Sequence, residues 1–409
     1  MSVETTQDVP AHVPDALRFE FDLYGLSGRS NLTDNVQAGV ARMLEEAPDL
    51  FFTSLNGGHW VAKRFDVMSR ILTDPEHFSS CQLTLPKSSG QPTLIPLTLD
   101  PPAHTPYRLI LMKHFSSKRV NALEDEVRAK ARELVNAAAE TAQGDFMAKI
   151  AIPLPVYVFL KLMGLPETKF HRFREIVEEW FSIPNGPRRQ ELAAEIIGHL
   201  REAIGERRKA PQNDLISALI EEQSGPAGLG EDELESMCFL LFLAGLDTVA
   251  NGAGFMFERL AARPELQQAL AGSEELRKGF LEETLRTCGV VNTVRTVVSD
   301  VELEGVKLKA GDLVLCPLAL AGYDESVNGC PHQFDAERQS RTHLMFSTGP
   351  HLCVGHLLAR LELRVLLEEC LAGFSHFELD ENAPKRIKIG SIIALLSLPM
   401  TWKKRTQQA

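Results

Sequence analysis

The apolar positions of this chain change their spacing twice. Up to about residue 100 the patterned stretches are short. His59 to Ala62 alternates like a strand, and Phe65 to Leu72 has helical spacing that stops at Asp74-Pro75. Gln82 to Pro96 is rich in Ser, Thr, Pro and Gly and predicts a long irregular loop. From about residue 104 helical spacing takes over, in Ser117 to Thr141, Pro166 to Phe181, Arg188 to Lys209 and Asp214 to Gln223, with Pro184-Asn185-Gly186-Pro187 separating two of these. After a loop at Gly225 to Gly230, the acids Glu231-Asp232-Glu233 suit a helix start, and that helix is predicted to reach Ala262, near Pro264. Its middle is apolar on nearly every face, which predicts deep burial. Val301 to Pro317 returns to alternation, with tight turns at Glu304-Gly305 and Ala310-Gly311-Asp312. Leu320 to Leu344 is polar and irregular. A glycine-punctuated loop, Phe346 to Gly355, then runs into an amphipathic helix over Leu357 to Leu371, and Arg386 to Trp402 is patterned as strands. The expectation is a mainly α fold with small β-sheets in one domain, 1–409. Its β-rich parts fall at about 45–100 and 290–320, the remainder is helical, and there is no internal repeat.

Composition changes this picture little. A prior of about 150 residues per domain would allow two or three domains in 409 residues, but no composition break marks a split. The net charge of -12 argues against nucleic acid and anionic membranes as partners, while leaving room for a local basic patch. Seven scattered cysteines without a C-x-x-C pair argue against a disulfide framework or a zinc ribbon and suggest a reducing cytoplasm. Met1 to Pro10 lacks signal-peptide character, and the longest clean apolar run, Cys238 to Leu246, has nine residues, where a membrane span needs about twenty. A soluble, cytoplasmic protein with no membrane anchor is expected.

The candidate chemistry begins in the glycine-punctuated loop. A Cys353 thiolate would sit at a helix N-terminus, where backbone N–H groups and the helix dipole favour negative charge. Gly349 and Gly355 would allow a tight turn and close approach of a flat ligand, and Phe346 could shield the sulfur. Those features fit an axial ligand to haem iron. A tetrahedral metal held by His351, Cys353 and His356 is the rival, although three ligands so close in sequence rarely converge on one ion. In the apolar helix, Ala244-Gly245 would leave room for a ligand beside a costly polar pair, Asp247-Thr248. Thr248 could bond the Ala244 carbonyl one turn back or bend the helix. Glu283 and Arg286 stand three apart on a helix, which in isolation most often means an exposed ion pair. His104 and Arg108 share a helix face and suit carboxylate groups, or form a solvated basic turn.

Taken together, F-x-x-G-x-x-x-C-x-G, A-G-x-D-T, E-x-x-R and the His104/Arg108 pair resemble, in order, the motifs of the cytochrome P-450 monooxygenases. The similarity is strongest to the soluble bacterial camphor hydroxylase group, through Leu246-Asp247-Thr248-Val249 and Glu304-Gly305-Val306 with Lys309-Ala310-Gly311-Asp312. The resemblance implies the P-450 fold, with haem b between the long central helix and the cysteine-loop helix and the Cys353 thiolate as axial ligand. It implies propionate contacts from His104, Arg108, Arg295 and His351, the last standing where many members have Arg. Ala244 and Gly245 would border the cofactor, Asp247 and Thr248 would guide protons to bound dioxygen, and Arg338 would join Glu283 and Arg286 in a structural lock.

The resemblance also implies a substrate pocket. Pro92 stands where the camphor enzyme has an anchoring tyrosine, and Leu94 and Leu97 replace an aromatic and a threonine. Leu83, Leu240, Leu243, Val290, Val291 and Ile392 would complete the wall, though each taken alone reads more readily as ordinary core. Thr293 replaces an aspartate near a propionate. The implied substrate is a small apolar alicyclic or terpenoid molecule, norisoprenoids included. No G-x-G-x-x-G follows a strand, so electrons would come from a separate protein; the resemblance implies an iron–sulfur ferredoxin with its flavin reductase, and Arg108, Lys113, Lys118, Arg119 and Arg360 could give it a basic dock. A monomer is expected. The rival activities are a peroxide-driven peroxygenase, against which Asp247-Thr248 argues, and a non-enzymatic haem-thiolate protein.

Overall fold

The computed structural model describes residues 7–28, 32, 35–87, 93–182, 187–225 and 228–405. Pro92, and the Pro184, Asn185 and Gly186 positions of the second predicted loop, lie outside the described residues. Helices dominate, and among the described residues the strands form four small sheets of five, two, three and two strands, the mainly α architecture that the periodicity predicts.

The chain folds as two compact units, each drawn from separate stretches of sequence. The first comprises Met1–Ser89, Gly254–Cys353 and Glu378–Pro399. Its five-stranded sheet runs in the order Leu50–Thr53, His59–Ala62, Leu313–Pro317, Asn292–Val297, Phe78–Ser79. Leu50–Thr53 and Leu313–Pro317 are buried at every position, as suits aromatic and aliphatic strands covered on both faces. Register places Phe52 opposite Trp60 and Arg295 opposite Val314. Asp312 ties the N-terminal segment to this sheet, accepting from Trp60 Nε1 at 3.0 Å and meeting His12 Nε2 at 2.9 Å. The helix Glu274–Thr287 is N-capped by Ser273, whose side chain accepts from the Leu276 N–H.

The second unit comprises Gly90–Ala253, Val354–Phe377 and Met400–Ala409. Here the helix His356–Gly373 packs along Glu124–Ala139. Close approach at one end depends on Gly373, whose Cβ would run into Val135. Arg128 reaches Glu368 at 2.7 Å and Glu369 at 3.0 Å, and Arg364 reaches Glu124 at 2.7 Å, so charges on both helices clamp the pair.

Two predicted helices are each broken. Ser117 to Thr141 is divided into Ser117–Asn121 and Glu124–Ala139. The apolar helix is divided into Glu231–Gly245 and Thr248–Ala261, ending within one residue of the predicted Ala262. By length and apolarity the run Glu231–Ala261 is the one helix among the described residues able to cross a membrane, but 72% of its most apolar window is buried inside the protein. It therefore reads as a core element, interrupted at Leu246-Asp247. The strands Leu50–Thr53 and Phe374–Leu379 were not predicted; the first, with four residues buried on both faces, shows no alternation to detect.

Candidate active site

The first unit carries the cysteine loop. Cys238, Cys288, Cys316 and Cys370 are buried, and Cys81, Cys330 and Cys353 are exposed. Burial pushes the Cys238 and Cys316 thiols up to about 12 and Cys370 well above its ordinary range, so these three resist forming a thiolate. Cys353 alone among the exposed three leads into a long helix, which begins at His356. The chain turns before it through Ser347 (φ 61) and Gly349 (φ 67). The Ser347 N–H donates to the Leu344 carbonyl at 2.8 Å, and the Cys353 N–H to the Phe346 carbonyl at 2.8 Å. Glycine is needed at 349 twice over, because a Cβ there would also stand 2.7 Å from the Leu72 carbonyl oxygen.

Behind this loop lies the Glu283 cluster. Arg286 donates to Glu283 through Nε at 2.8 Å and Nη2 at 2.7 Å, and both side chains are 0% exposed. The other face of the guanidinium reaches the carbonyls of Gly322 and of Pro331, the latter at 3.0 Å. Arg338 donates to Glu283 at 3.1 Å and to the Gly329, Cys330 and Gln333 carbonyls at 2.6, 3.1 and 2.8 Å. The two arginines thus hold much of the irregular segment that precedes the cysteine loop. Gly322 lets the chain lie against Arg286, since a Cβ there would overlap the Arg286 carbonyl. Arg295, also in this unit, is buried and oriented by its own strand, donating to Thr293 Oγ1 at 3.0 Å and the Val294 carbonyl at 2.9 Å. His351 closes a single turn, Gly349–His351, two residues before Cys353.

The second unit carries the broken helix. Thr248 Oγ1 donates to the Ala244 carbonyl at 3.3 Å, and the interruption falls just before it, so both structural expectations for Thr248 hold together. Asn251 donates to the Asp247 carbonyl through its backbone at 3.1 Å and its side chain at 2.9 Å. Asn251 was not singled out from sequence, although an amide one turn beyond a polar break is a recognisable signal. The Ala244-Gly245 pair does not serve one purpose: Ala244 is exposed, whereas Gly245 is backed by the Phe159 ring. His104 is buried at the start of Thr105–His114; desolvation first, and the Arg108 charge second, push its imidazole below the ordinary range.

The apolar candidates fall into two groups. In the second unit the loop bearing Leu94 and Leu97 is stapled to the central helix at Ser236, which accepts from the Ile95 N–H at 3.0 Å and donates to the Thr93 carbonyl at 2.6 Å. Ser236 lies one turn before Leu240, and Leu94, Leu240 and Leu243 are all buried. In the first unit Val291 bridges Ile392, and the Ile393 N–H donates to the Val290 carbonyl at 2.8 Å. Leu83 is half-buried on the loop after Cys81.

Among the described residues no group of three or more His, Cys, Asp or Glu side chains is placed to hold a metal ion, which leaves a site at His351, Cys353 and His356 without support. The donor types present suit a haem instead: the first unit has the exposed Cys353 thiol with Arg295 and His351, and the second has His104 and Arg108, side chains of the kinds that pair with propionates.

Comparison with known proteins agrees. The family model for cytochrome P450 matches residues 110–403. A protein of Sinorhizobium fredii named "Probable cytochrome P450 127A1" is 34% identical over 408 residues, covering 97% of each chain. The crystal structure of CYP101J2 superposes with a TM-score of 0.89 at 32% identity, covering 97% of this chain and 100% of that one. That of CYP101C1 gives 0.85 at 31% identity, with the same coverage. On these grounds the chain belongs to the cytochrome P450 family, as a haem-thiolate monooxygenase similar to the bacterial camphor hydroxylase group.

Proposed function

We propose that this monooxygenase hydroxylates a small apolar alicyclic or terpenoid molecule, norisoprenoids included, with dioxygen and with electrons from an iron–sulfur ferredoxin served by a flavin reductase. The observation that carries the substrate class is the apolar character of the positions that the resemblance assigns to the pocket wall: Leu94, Leu240 and Leu243 in the second unit and Val290 in the first are buried, and Leu97, Leu83, Val291 and Ile392 add no polar side chain. Such a wall selects by shape and apolar area and offers no group to anchor a carbonyl or hydroxyl.

Cys353 would supply the thiolate that ligates haem iron, and Arg295, His351, His104 and Arg108 would serve its propionates. Bound haem supplies dioxygen activation and oxygen-atom transfer. Thr248 contributes a hydroxyl whose hydrogen is committed to the Ala244 carbonyl, so its oxygen lone pairs remain to accept a proton donor. Asp247 exchanges protons with solvent, its backbone held by Asn251. Glu283, Arg286 and Arg338 keep the preceding segment rigid.

A ferredoxin partner is supported by charge. Between Pro101 and Leu123 the chain has no Asp or Glu but carries Arg108, Lys113, Lys118 and Arg119, in a molecule of net charge -12. Within this stretch the helix Thr105–His114, which carries Arg108 and Lys113, also exposes Leu109 (55%) and Met112 (53%). Arg360, in the same unit, lies 3.3 Å from His356 and adds to the positive charge. The enzyme acts as a monomer in the cytoplasm.

The experiment is turnover of small terpenoids with ferredoxin, reductase and NADH, against hydrogen peroxide alone. Product is expected only with the electron chain. Thr248→Ala is expected to keep consuming NADH while product per electron falls by roughly tenfold or more and peroxide accumulates. Turnover with peroxide and none with ferredoxin would establish the peroxygenase instead.

A further inference from the structure

Gly245 is a glycine because of what stands behind it. A Cβ at this position would overlap the Phe159 ring, lying 2.7 Å from Cε2 and 3.0 Å from Cγ. Phe159 belongs to the helix Pro153–Met163 and has little freedom to swing aside. It packs edge-on against Phe242 at 6.2 Å, Phe242 packs edge-on against Phe173 at 5.0 Å, and all three rings are buried. Phe173 in turn meets His199 edge-on at 5.2 Å. A row of aromatic side chains therefore presses on the backbone of the central helix at its last residue before the break.

We infer that Phe159 is a positioning residue for the reaction. By seating the Gly245 backbone it sets where the adjacent Ala244 carbonyl lies, and through that carbonyl the direction of the Thr248 hydroxyl. The inference rests on the proposed role of Thr248. The hydrogen bond it acts through is 3.3 Å long, beyond the usual span for O–H donors, so a displacement of a few tenths of an ångström releases it. Close-packed interiors transmit such displacements instead of absorbing them. The Ala-Gly pair accordingly divides its work, with Gly245 admitting Phe159 and Ala244 left exposed.

The test compares Gly245→Ala, Phe159→Leu and the double variant as haem-loaded proteins, reading product and peroxide per NADH, the reduced carbon monoxide spectrum and the melting temperature. Gly245→Ala is expected to raise the peroxide fraction several-fold with an unchanged carbon monoxide spectrum. Adding Phe159→Leu, which makes room for the new methyl group, is expected to restore most of the coupling. A simple packing role lowers the melting temperature and leaves coupling unchanged, and that result overturns the inference. Where Gly245→Ala yields no loaded protein, Phe159→Leu alone decides: reduced coupling supports the inference and unchanged coupling rejects it. Thr248→Ala separates the two ideas. If it leaves coupling unchanged, the role of Thr248 falls and this inference with it; if it uncouples while the Gly245 and Phe159 variants do not, only this inference falls.

Discussion

Two buried glutamates in this molecule face opposite circumstances. Glu283 is 0% exposed and meets Arg286 through two bonds and Arg338 through a third, with the Asp335 N–H adding a fourth at 3.1 Å. Glu362, on the helix that follows the cysteine loop, is buried with no partner for Oε2 among the described residues, and burial pushes its carboxyl up to about 8. The same side chain is thus ringed by two arginines and a backbone donor in one place, and in the other sits in burial that favours its neutral form. Burial alone does not decide the charge state; the number of donors converging on the oxygens does.

The hardest test of the contrast removes the cation. Arg286→Ala leaves Glu283 with half its support and strands the Pro331 carbonyl, while the Gly322 carbonyl keeps only the Asn328 side-chain amide at 3.3 Å. Breaking such a pair costs about 3–5 kcal/mol, so the variant is expected to lose most of its soluble, haem-loaded yield. The check is the fraction of purified protein giving the far red-shifted reduced carbon monoxide band. Normal yield and melting temperature would mean that Glu283 and Arg286 contribute no more than an exposed pair.

How much of this was legible beforehand depended on how far apart in sequence the partners lie. The cysteine loop and the Glu283-x-x-Arg286 pair are local patterns, and a resemblance supplied Arg338 as their third member. Phe159 behind Gly245, and Ser236 beneath the Leu94 loop, require knowing which helices pack together, and no periodicity carries that information. The break at Leu246-Asp247 was hidden for a different reason. The apolar period continues through it unchanged, while the Thr248 hydroxyl takes a carbonyl one turn back and the Asn251 amide adds a second bond to the Asp247 carbonyl, contacts that no periodicity shows. Glu362 sits at an inward position of an amphipathic helix, where a single acid does not disturb the pattern.

The lone acid has its own test, with the opposite sign. The folded-state pKa of Glu362 is raised from an ordinary 4.5 to about 8, so between these values the folded chain holds a proton that the unfolded chain has released. Its contribution to stability is fully present below about pH 4.5 and is lost as pH rises through about 8. Glu362→Gln keeps a neutral side chain of the same shape and removes this dependence. Relative to wild type, the variant is expected to gain stability from pH 5 to about pH 8 and to level off above it, by an amount on the order of a few kcal/mol in all. Melting temperatures of both haem-loaded proteins across that range make the comparison, since other titrating groups cancel in the difference. A constant difference would show that Glu362 is ionised in the fold and has partners.

The smallest expected effect isolates burial from geometry. Arg188 grips Glu179 with the same two-pronged contact that Arg286 makes with Glu283, Nε at 2.6 Å and Nη2 at 2.8 Å, but the two side chains are 50% and 34% exposed. Water already solvates both partners when the pair is broken, and dissolved salt screens what attraction remains. Glu179→Gln should therefore shift the melting temperature by about one degree or less at low ionic strength, and by nothing measurable at 1 M salt. If instead it destabilises the protein as Arg286→Ala does, the fork geometry itself carries the energy, and the weight placed here on the surroundings of Glu283 is wrong.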